Sequence, residues 1–457
     1  MLLDTGAPRK LPLRWIALLL LGLSAAIEPL PARAQAPSLD AGTRERIEAV
    51  EPSVIAWRRD IHEHPELGNR EVRTAGLVAD HLRSLGLEVR TGVARTGVVG
   101  VLHGSRPGPV VLLRADMDAL PVTEPTGLPF ASTVRSEYGG EEVGVMHACG
   151  HDAHTAILMG VAEVLAAMSD DLPGTVKFVF QPAEEGPPAG EDGGAELMVR
   201  EGILDDPAVD VAFALHMDSL EPAGDVLYRP GGTYASADDF RIVVRGRQTH
   251  GAFPWDGTDP IVAAAHVVTA LQSIVSREVN LTETAVVVSI GRIRGGVRSN
   301  IIPEEVELVG TIRTLDPEVR ERLHERVRRI ATSVAEGMGA TAVVQIPMTR
   351  GYPATVNDAD LTARMVPALE AAVGAERVRL RPPLMAGEDF AFIAERVPSV
   401  YIGLGGRPAG VSRADAVPHH APGFFLDESG FGNGVRALAA MALETLRSGP
   451  PVPGTRE

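Results

Sequence analysis

Apolar and polar positions recur along this chain with two periods, and their order predicts helices layered on a sheet. From 43 to 64 apolar side chains fall at Ile47, Val50, Val54, Trp57 and Ile61. That is the spacing of one helical face, and Pro65 ends it. Residues 71–85 repeat the pattern through Ala75, Val78, Ala79, Leu82 and Leu85, stopped by Gly86. Short β-branched runs follow at 98–102 and 110–113, and again at 175–180 and 209–215, the kind of strand buried inside a sheet. A helix predicted over 155–168, with Ile157, Leu158, Val161, Val164 and Leu165 on its apolar side, separates the two pairs of strands. The alternation predicts an α/β domain with a central sheet flanked by helices.

The pattern changes between 239 and 346. Residues 239–245 alternate as a half-buried strand, 260–275 form an amphipathic helix, 285–293 and 305–313 are strands, 317–335 is a second helix and 340–346 a last strand. The order β-α-β-β-α-β makes a compact sheet with two helices on one face, an α+β, ferredoxin-like unit. We therefore expect a discontinuous first domain, 37–231 and 350–457, with 232–349 inserted into it. The strand at 400–404 would complete the first sheet.

Composition supports two domains, since 457 residues at 45% hydrophobic exceed what one core ordinarily holds. Asp and Glu outnumber Lys and Arg by 60 to 43, and no basic tract follows the first few dozen residues. Nucleic acid is thereby excluded as a partner. Arg9, Lys10 and Arg14 precede an apolar run at 15–23 and the small residues Ala34-Gln35-Ala36. This reads as a signal peptide, 1–36, removed after Ala36, with export to the periplasm or the medium and no stable membrane span afterwards. A retained anchor is the alternative.

Cys149 is the only cysteine, so no internal disulfide can form. It sits in Met146-His147-Ala148-Cys149-Gly150-His151-Asp152-Ala153-His154. A thiolate and an imidazole two residues apart, followed by Glu184-Glu185, are what a divalent metal site with a hydrolytic water requires. A buried apolar thiol is the ordinary alternative, against which the flanking His147, His151 and His154 weigh. Cys149 and His151 precede the predicted helix at 155, where free N–H groups favour a thiolate. Asp152 could orient an imidazole, while capping would explain His147, His154, His62 and His64 as well.

Other candidates fall at strand ends. Asp116 follows the strand at 110–113, at the edge where open α/β sheets collect functional groups. It is a candidate ligand or, better, a carboxylate supporting one, and Asp118 could equally form a turn. Glu184 and Glu185 repel each other unless a cation lies between them. Neighbours in extended chain point oppositely, so one can bind metal while the other faces the water. His216 ends the strand at 209–215, and His419-His420 occupy a late loop.

These motifs resemble the dinuclear metalloamidase family of hippurate hydrolases, aminoacylases and auxin-conjugate amidohydrolases, over about 57–424. The resemblance implies a zinc-peptidase-like catalytic domain carrying an inserted lid and dimerisation domain. It implies that Cys149, His151, Glu185, His216 and His420 bind two divalent ions, with Glu184 as general acid and base. Thiolate and imidazole suit zinc, nickel or cobalt, and the carboxylates admit manganese. The resemblance further implies that the insert pairs two subunits into a homodimer and lends His250, in Thr249-His250-Gly251-Ala252-Phe253-Pro254, to the partner's site. Asn300 and Arg313 are candidates for the substrate's carboxylate, Arg313 equally for a structural ion pair, and Gly387 lines the pocket. The expected activity is hydrolysis of N-acyl amino acids, alternatively of dipeptides or C-terminal residues. Two rivals from other classes are an amidase using Cys149 as nucleophile, which leaves Glu184, Glu185, His216 and His420 without work, and a non-catalytic metal-binding protein.

Overall fold

The computed structural model describes residues 39–349 and 351–450, so the predicted signal segment lies outside the described residues. Eight strands form the larger sheet, in the spatial order Glu88–Val93, Gly97–His103, Pro173–Gln181, Arg106–Asp116, Val211–Pro222, Ser399–Arg407, Val226–Tyr228 and Val378–Leu380. The four central strands, from Pro173–Gln181 to Ser399–Arg407, run parallel. The outer pairings with Glu88–Val93 and Gly97–His103 are antiparallel, which makes the sheet mixed, as expected. Register sets Asp116 level with Gln181, and His216 level with Gly403. The C-terminal ends of the parallel strands therefore open on one edge.

Helices Ala41–Glu63, His151–Ala166 and Phe431–Ser448 pack on one face, with Val54, Ile157, Val161, Leu438 and Met441 fully enclosed. Burial of each such side chain contributes about 1.5–3 kcal/mol. Gly160 lets the first two helices meet, since a Cβ there would stand 2.6 Å from Val54 Cγ2. On the other face Ala195, Met198 and Ile393, from two short helices, and Phe390, which caps the second, cover Val179, Ala214 and Tyr401.

Residues 238–345 build a second, four-stranded antiparallel sheet in the order Val286–Gly295, Glu305–Thr314, Asp238–Arg245, Thr341–Gln345. Helices Pro260–Ser273 and Pro317–Gly337 lie on it, around a core of Phe240, Ile242, Val267, Leu271, Leu308 and Val327. This is the expected β-α-β-β-α-β order. The segment Pro260–Glu278 is long and apolar enough to cross a membrane, yet its Ala263, Ala264, Val267 and Leu271 are spent on this core. Where the chain passes into and out of the second sheet, Ala237 and Tyr352 exchange both backbone hydrogen bonds.

Two boundaries differ from the sequence reading in ways that move site residues. The helix expected at 155 begins at His151, because Gly150, at φ +99°, turns the chain into it four residues early. Cys149 alone precedes the helix, and His151 is its first residue. The strand expected to end at Leu215 runs on to Pro222, so His216 projects from mid-strand.

Candidate metal centre

The site is built outward from the parallel strand ends. Cys149 Sγ stands 3.5 Å from His216 Nε2 and 3.3 Å from His420 Nε2, and the latter is 3.0 Å from Glu185 Oε1. His151 Nε2 lies 3.9 Å from Glu184 Oε2. Cys149, Glu184, Glu185, His216 and His420 share the wall of a cleft of about 530 Å³ with Gly387 and Tyr352.

Ring hydrogen bonds decide which histidines have a nitrogen to spare. His151 Nδ1 is held by the Asp118 carbonyl at 2.9 Å, and His216 Nδ1 by the Met217 carbonyl at 2.6 Å, which leaves each Nε2 for another partner, that of His216 at the cleft wall. His154 is fully used, since its Nδ1 lies 2.5 Å from Asp116 and its Nε2 accepts from Met217 N. His419 is likewise occupied by Ser219 N and the Cys149 carbonyl. His420 turns its Nε2 to Glu185 and Cys149 from a backbone at φ +64°, a conformation unusual outside glycine. Within the pair 419–420, the second presents the free donor.

Electrostatics point the same way. Burial, reinforced by Glu185, Glu184 and Asp116, pushes the Cys149 thiol well above its ordinary value. Burial and the carboxylates of Glu388, Glu185, Asp389 and Asp116 raise Glu184 in the same sense. His151 is opposed by burial but held up at about 10 by Asp116 and Asp118. His216 is driven down by burial and by His154 and His419, so it stays neutral. Sulfur, imidazole nitrogens and a carboxylate thus cluster in overlapping groups, and both His151 Nε2 and Glu185 Oε1 are buried with no aligned hydrogen-bond partner. A divalent cation supplies what they lack, so the residues present fit one.

The Ala183-Glu184-Glu185 turn is clamped. Ala183 sits at φ +52°, its N–H donates to Glu71 Oε1 at 2.9 Å, the Tyr352 hydroxyl donates to the Glu184 carbonyl at 2.9 Å, and Glu185 N–H donates to Asp118 Oδ2 at 3.0 Å. Burial and the Asp118 charge hold Glu71 up at about 7. Beneath the strands Arg114 meets Asp116 at 2.6 Å, Asp389 at 2.9 Å and Glu388 at 3.1 Å, while Gln181 binds Asp389. Asp116 therefore faces Arg114 and His154 from behind the ligands and not the cleft. Glu71, Gln181 and Tyr352 were not singled out as site residues in the sequence, whereas Glu388 and Asp389 belong to the motif Gly387-Glu388-Asp389-Phe390, expected beside the metals. A signal that could have pointed to this network is Arg114, a charge within an apolar strand.

The remaining candidates are scattered. Gly387 lines the cleft, where a Cβ would stand 2.9 Å from that of Ala237. Arg313 lies in an adjoining cavity, bonded to Thr311 Oγ1 and the Ile312 carbonyl, with Tyr352 as the shared wall. His250 and Asn300 are exposed neighbours, joined through Gly251 N–H and the Asn300 carbonyl, and neither lines the cleft. His62 is buried between Asp152 and Glu124, and His64 is exposed. His147 is enclosed with neither ring nitrogen bonded, and burial drives it down to about 3.

Comparison with known proteins agrees with this chemistry. Residues 112–444 match the family described as Peptidase family M20/M25/M40. The chain is 38% identical to thermostable carboxypeptidase 1 of Saccharolobus solfataricus, over 87% of this chain and 96% of that one. It is 37% identical to an N-acetylcysteine deacetylase of Bacillus subtilis, over 86% and 98%. A dinuclear metal binding peptidase of Bacillus subtilis superposes with a TM-score of 0.74 at 34% identity, covering 88% of this chain and 99% of that one.

Proposed function

Because the chain belongs to peptidase family M20/M25/M40 and is a metal-dependent amidohydrolase, we propose that it hydrolyses the amide bond of N-acyl amino acids. The observation that carries this is the clustering, in overlapping groups beside Glu184, of Cys149, His151, Glu185, His216 and His420. Those five residues would hold two divalent ions, zinc or manganese, with nickel or cobalt as alternatives. Bound there, the ions lower the pKa of water toward ~7 and polarise the amide carbonyl.

Glu184 acts as the proton carrier. Its carboxylate, beside the ligand cluster and 3.9 Å from His151 Nε2, would accept a proton from water and return it to the departing amine nitrogen. The hydrogen bonds at Ala183, Glu184 and Glu185 hold that carboxylate in register. Behind it Asp116 fixes His154, whose ring braces the His216 strand at Met217. A nucleophilic role for Cys149 is disfavoured, since burial beside Glu185 and Glu184 keeps the thiol protonated without a cation.

Residues 232–349 serve in this reading as a lid and dimerisation unit. His250 and Asn300, exposed together and away from their own cleft, would complete the site of a second copy, with Arg313 and Asn300 taking the substrate carboxylate. Removal of 1–36 would release the chain into the periplasm or the medium. A dipeptidase or carboxypeptidase activity is the second reading, favoured by the likeness to a carboxypeptidase. The test is Glu184→Gln assayed on N-acyl amino acids and dipeptides. Turnover should fall at least ~100-fold with metal stoichiometry retained. Loss of metal, or full turnover, would contradict the role.

A further inference from the structure

We propose that Asp152 is a positioning residue for the metal ligands Cys149 and His151, and that it acts through Arg58 and His62 of the helix Ala41–Glu63. The inference rests on the reading of Cys149 and His151 as ligands and deepens it. Asp152 is fully buried in the first turn of the helix His151–Ala166. Its Oδ2 lies 2.9 Å from Arg58 Nε and 2.7 Å from His62 Nδ1, and both partners are buried. The network runs on at each end. Arg58 Nη1 is 3.2 Å from Glu428 Oε1, and His62 Nε2 is 3.2 Å from Glu124 Oε1, while Glu124 Oε2 accepts from Ser132 N–H at 2.6 Å. Four segments far apart in the chain thus meet at one carboxylate, and it belongs to the residue that follows His151.

Stability alone does not account for such a network. Taking charged groups out of water costs about as much as pairing them returns, and apolar residues of similar size often hold a fold as well or better. The two helices already pack through Val50, Val54 and Gly160. What the grip on Asp152 fixes is the placement of the first turn. Gly150, at φ +99°, joins that turn to Cys149, and a glycine leaves the joint free to swivel. His151 Nδ1 is held by Asp118, and the Cys149 carbonyl lies 3.2 Å from His419 Nδ1, so the grip from the helix Ala41–Glu63 adds a further hold on the pair. Metal–ligand distances are kept within about 0.2 Å, and a small shift of this turn is therefore felt in affinity. Asp152 reaches His62 and Arg58 rather than a ligand side chain, so its effect passes through the backbone of residues 149–152.

Placement and mere stability are separated by three measurements. Zinc affinity is read by competition with a chromophoric chelator, alongside the thermal melt of the metal-free protein and the thiolate-to-metal absorption of protein loaded with cobalt. Asp152→Asn keeps the shape and drops the charge that holds both partners. It should weaken zinc binding about 10–100-fold and diminish or shift the cobalt–thiolate band. Arg58→Lys keeps a charge but loses the planar fork that spans Asp152 and Glu428, and should act in the same direction with a smaller effect. Val54→Ala loosens the same two helices through packing alone, so it should lower the melting temperature and leave zinc affinity and the cobalt band unchanged. Where Asp152→Asn does not fold, Arg58→Lys decides. Wild-type zinc affinity in either variant once folded, or an equal loss in Val54→Ala, would overturn the positioning role and leave the ligands as assigned. Failure of the unaltered protein to bind zinc or cobalt would overturn the ligand assignment instead.

Discussion

Replacing Tyr352 by Phe removes one hydroxyl and leaves the ring in place, which makes it a clean probe of the clamp on Glu184. The lost bond is the 2.9 Å contact to the Glu184 carbonyl. A neutral hydrogen bond contributes about 0.5–1.5 kcal/mol net, and orphaning a buried carbonyl costs about 1–3. The turn also holds Ala183 in the left-handed region at φ +52°, a conformation that costs an alanine roughly 1–2 kcal/mol. With Glu71 and Asp118 still gripping either side, the turn should loosen and not collapse. A penalty of about 1–2 kcal/mol at the proton carrier corresponds to roughly a 5–30-fold fall in kcat. Steady-state kinetics on one N-acyl amino acid, elemental analysis and a thermal melt together make the assay. Metal content should not change, because Tyr352 makes no hydrogen bond to a ligand side chain. An unchanged kcat would refute the positioning argument. So would a fall in kcat that simply tracks lost metal or lost fold.

Cys149→Ala should lose metal and activity together, measured by elemental analysis and turnover, and a variant fully active under chelation would end the metal reading. His250→Ala mixed with Glu184→Gln should recover part of the activity through hybrid dimers, whereas absence of complementation would place the whole site within one chain. Asp238 is buried against Arg320 at 2.7 Å. Burial alone would raise its pKa, but hydrogen bonds from Arg320 and His324 overcome that and hold it below 3.8. A lowered carboxylate contributes stability above its unfolded pKa and loses it as pH falls through the folded value. Arg320→Ala should therefore destabilise by roughly 3 kcal/mol near neutrality, and denaturant melts should show the deficit shrinking below about pH 4. A deficit independent of pH would refute the pairing.

What could be read from the chain was what local spacing encodes. Strands rich in β-branched residues and helices with a 3.6-residue stripe stood out, and with them the candidates at their ends, Cys149, Glu184, Glu185 and His216. The helix start was misplaced because its apolar stripe begins at Ile157, while its first turn is polar and buried for the sake of the site. The strand through His216 was cut short for the same reason, although pairing with Ser399–Arg407 carries it on past Asp218. The hairpin at 135–144 has little buried surface and so no alternation to detect. Glu71, Gln181 and Tyr352 act on partners 100 or more residues away, and no local pattern of spacing marks them.

His420, the outermost donor, has a side chain about 54% exposed. An ion resting against it would be within reach of solvent, buffer and chelator in the folded chain. Loading would then require no unfolding, exchange would be governed by the ions dissolved around the protein, and preparations grown in different media would carry different metals with different specific activities.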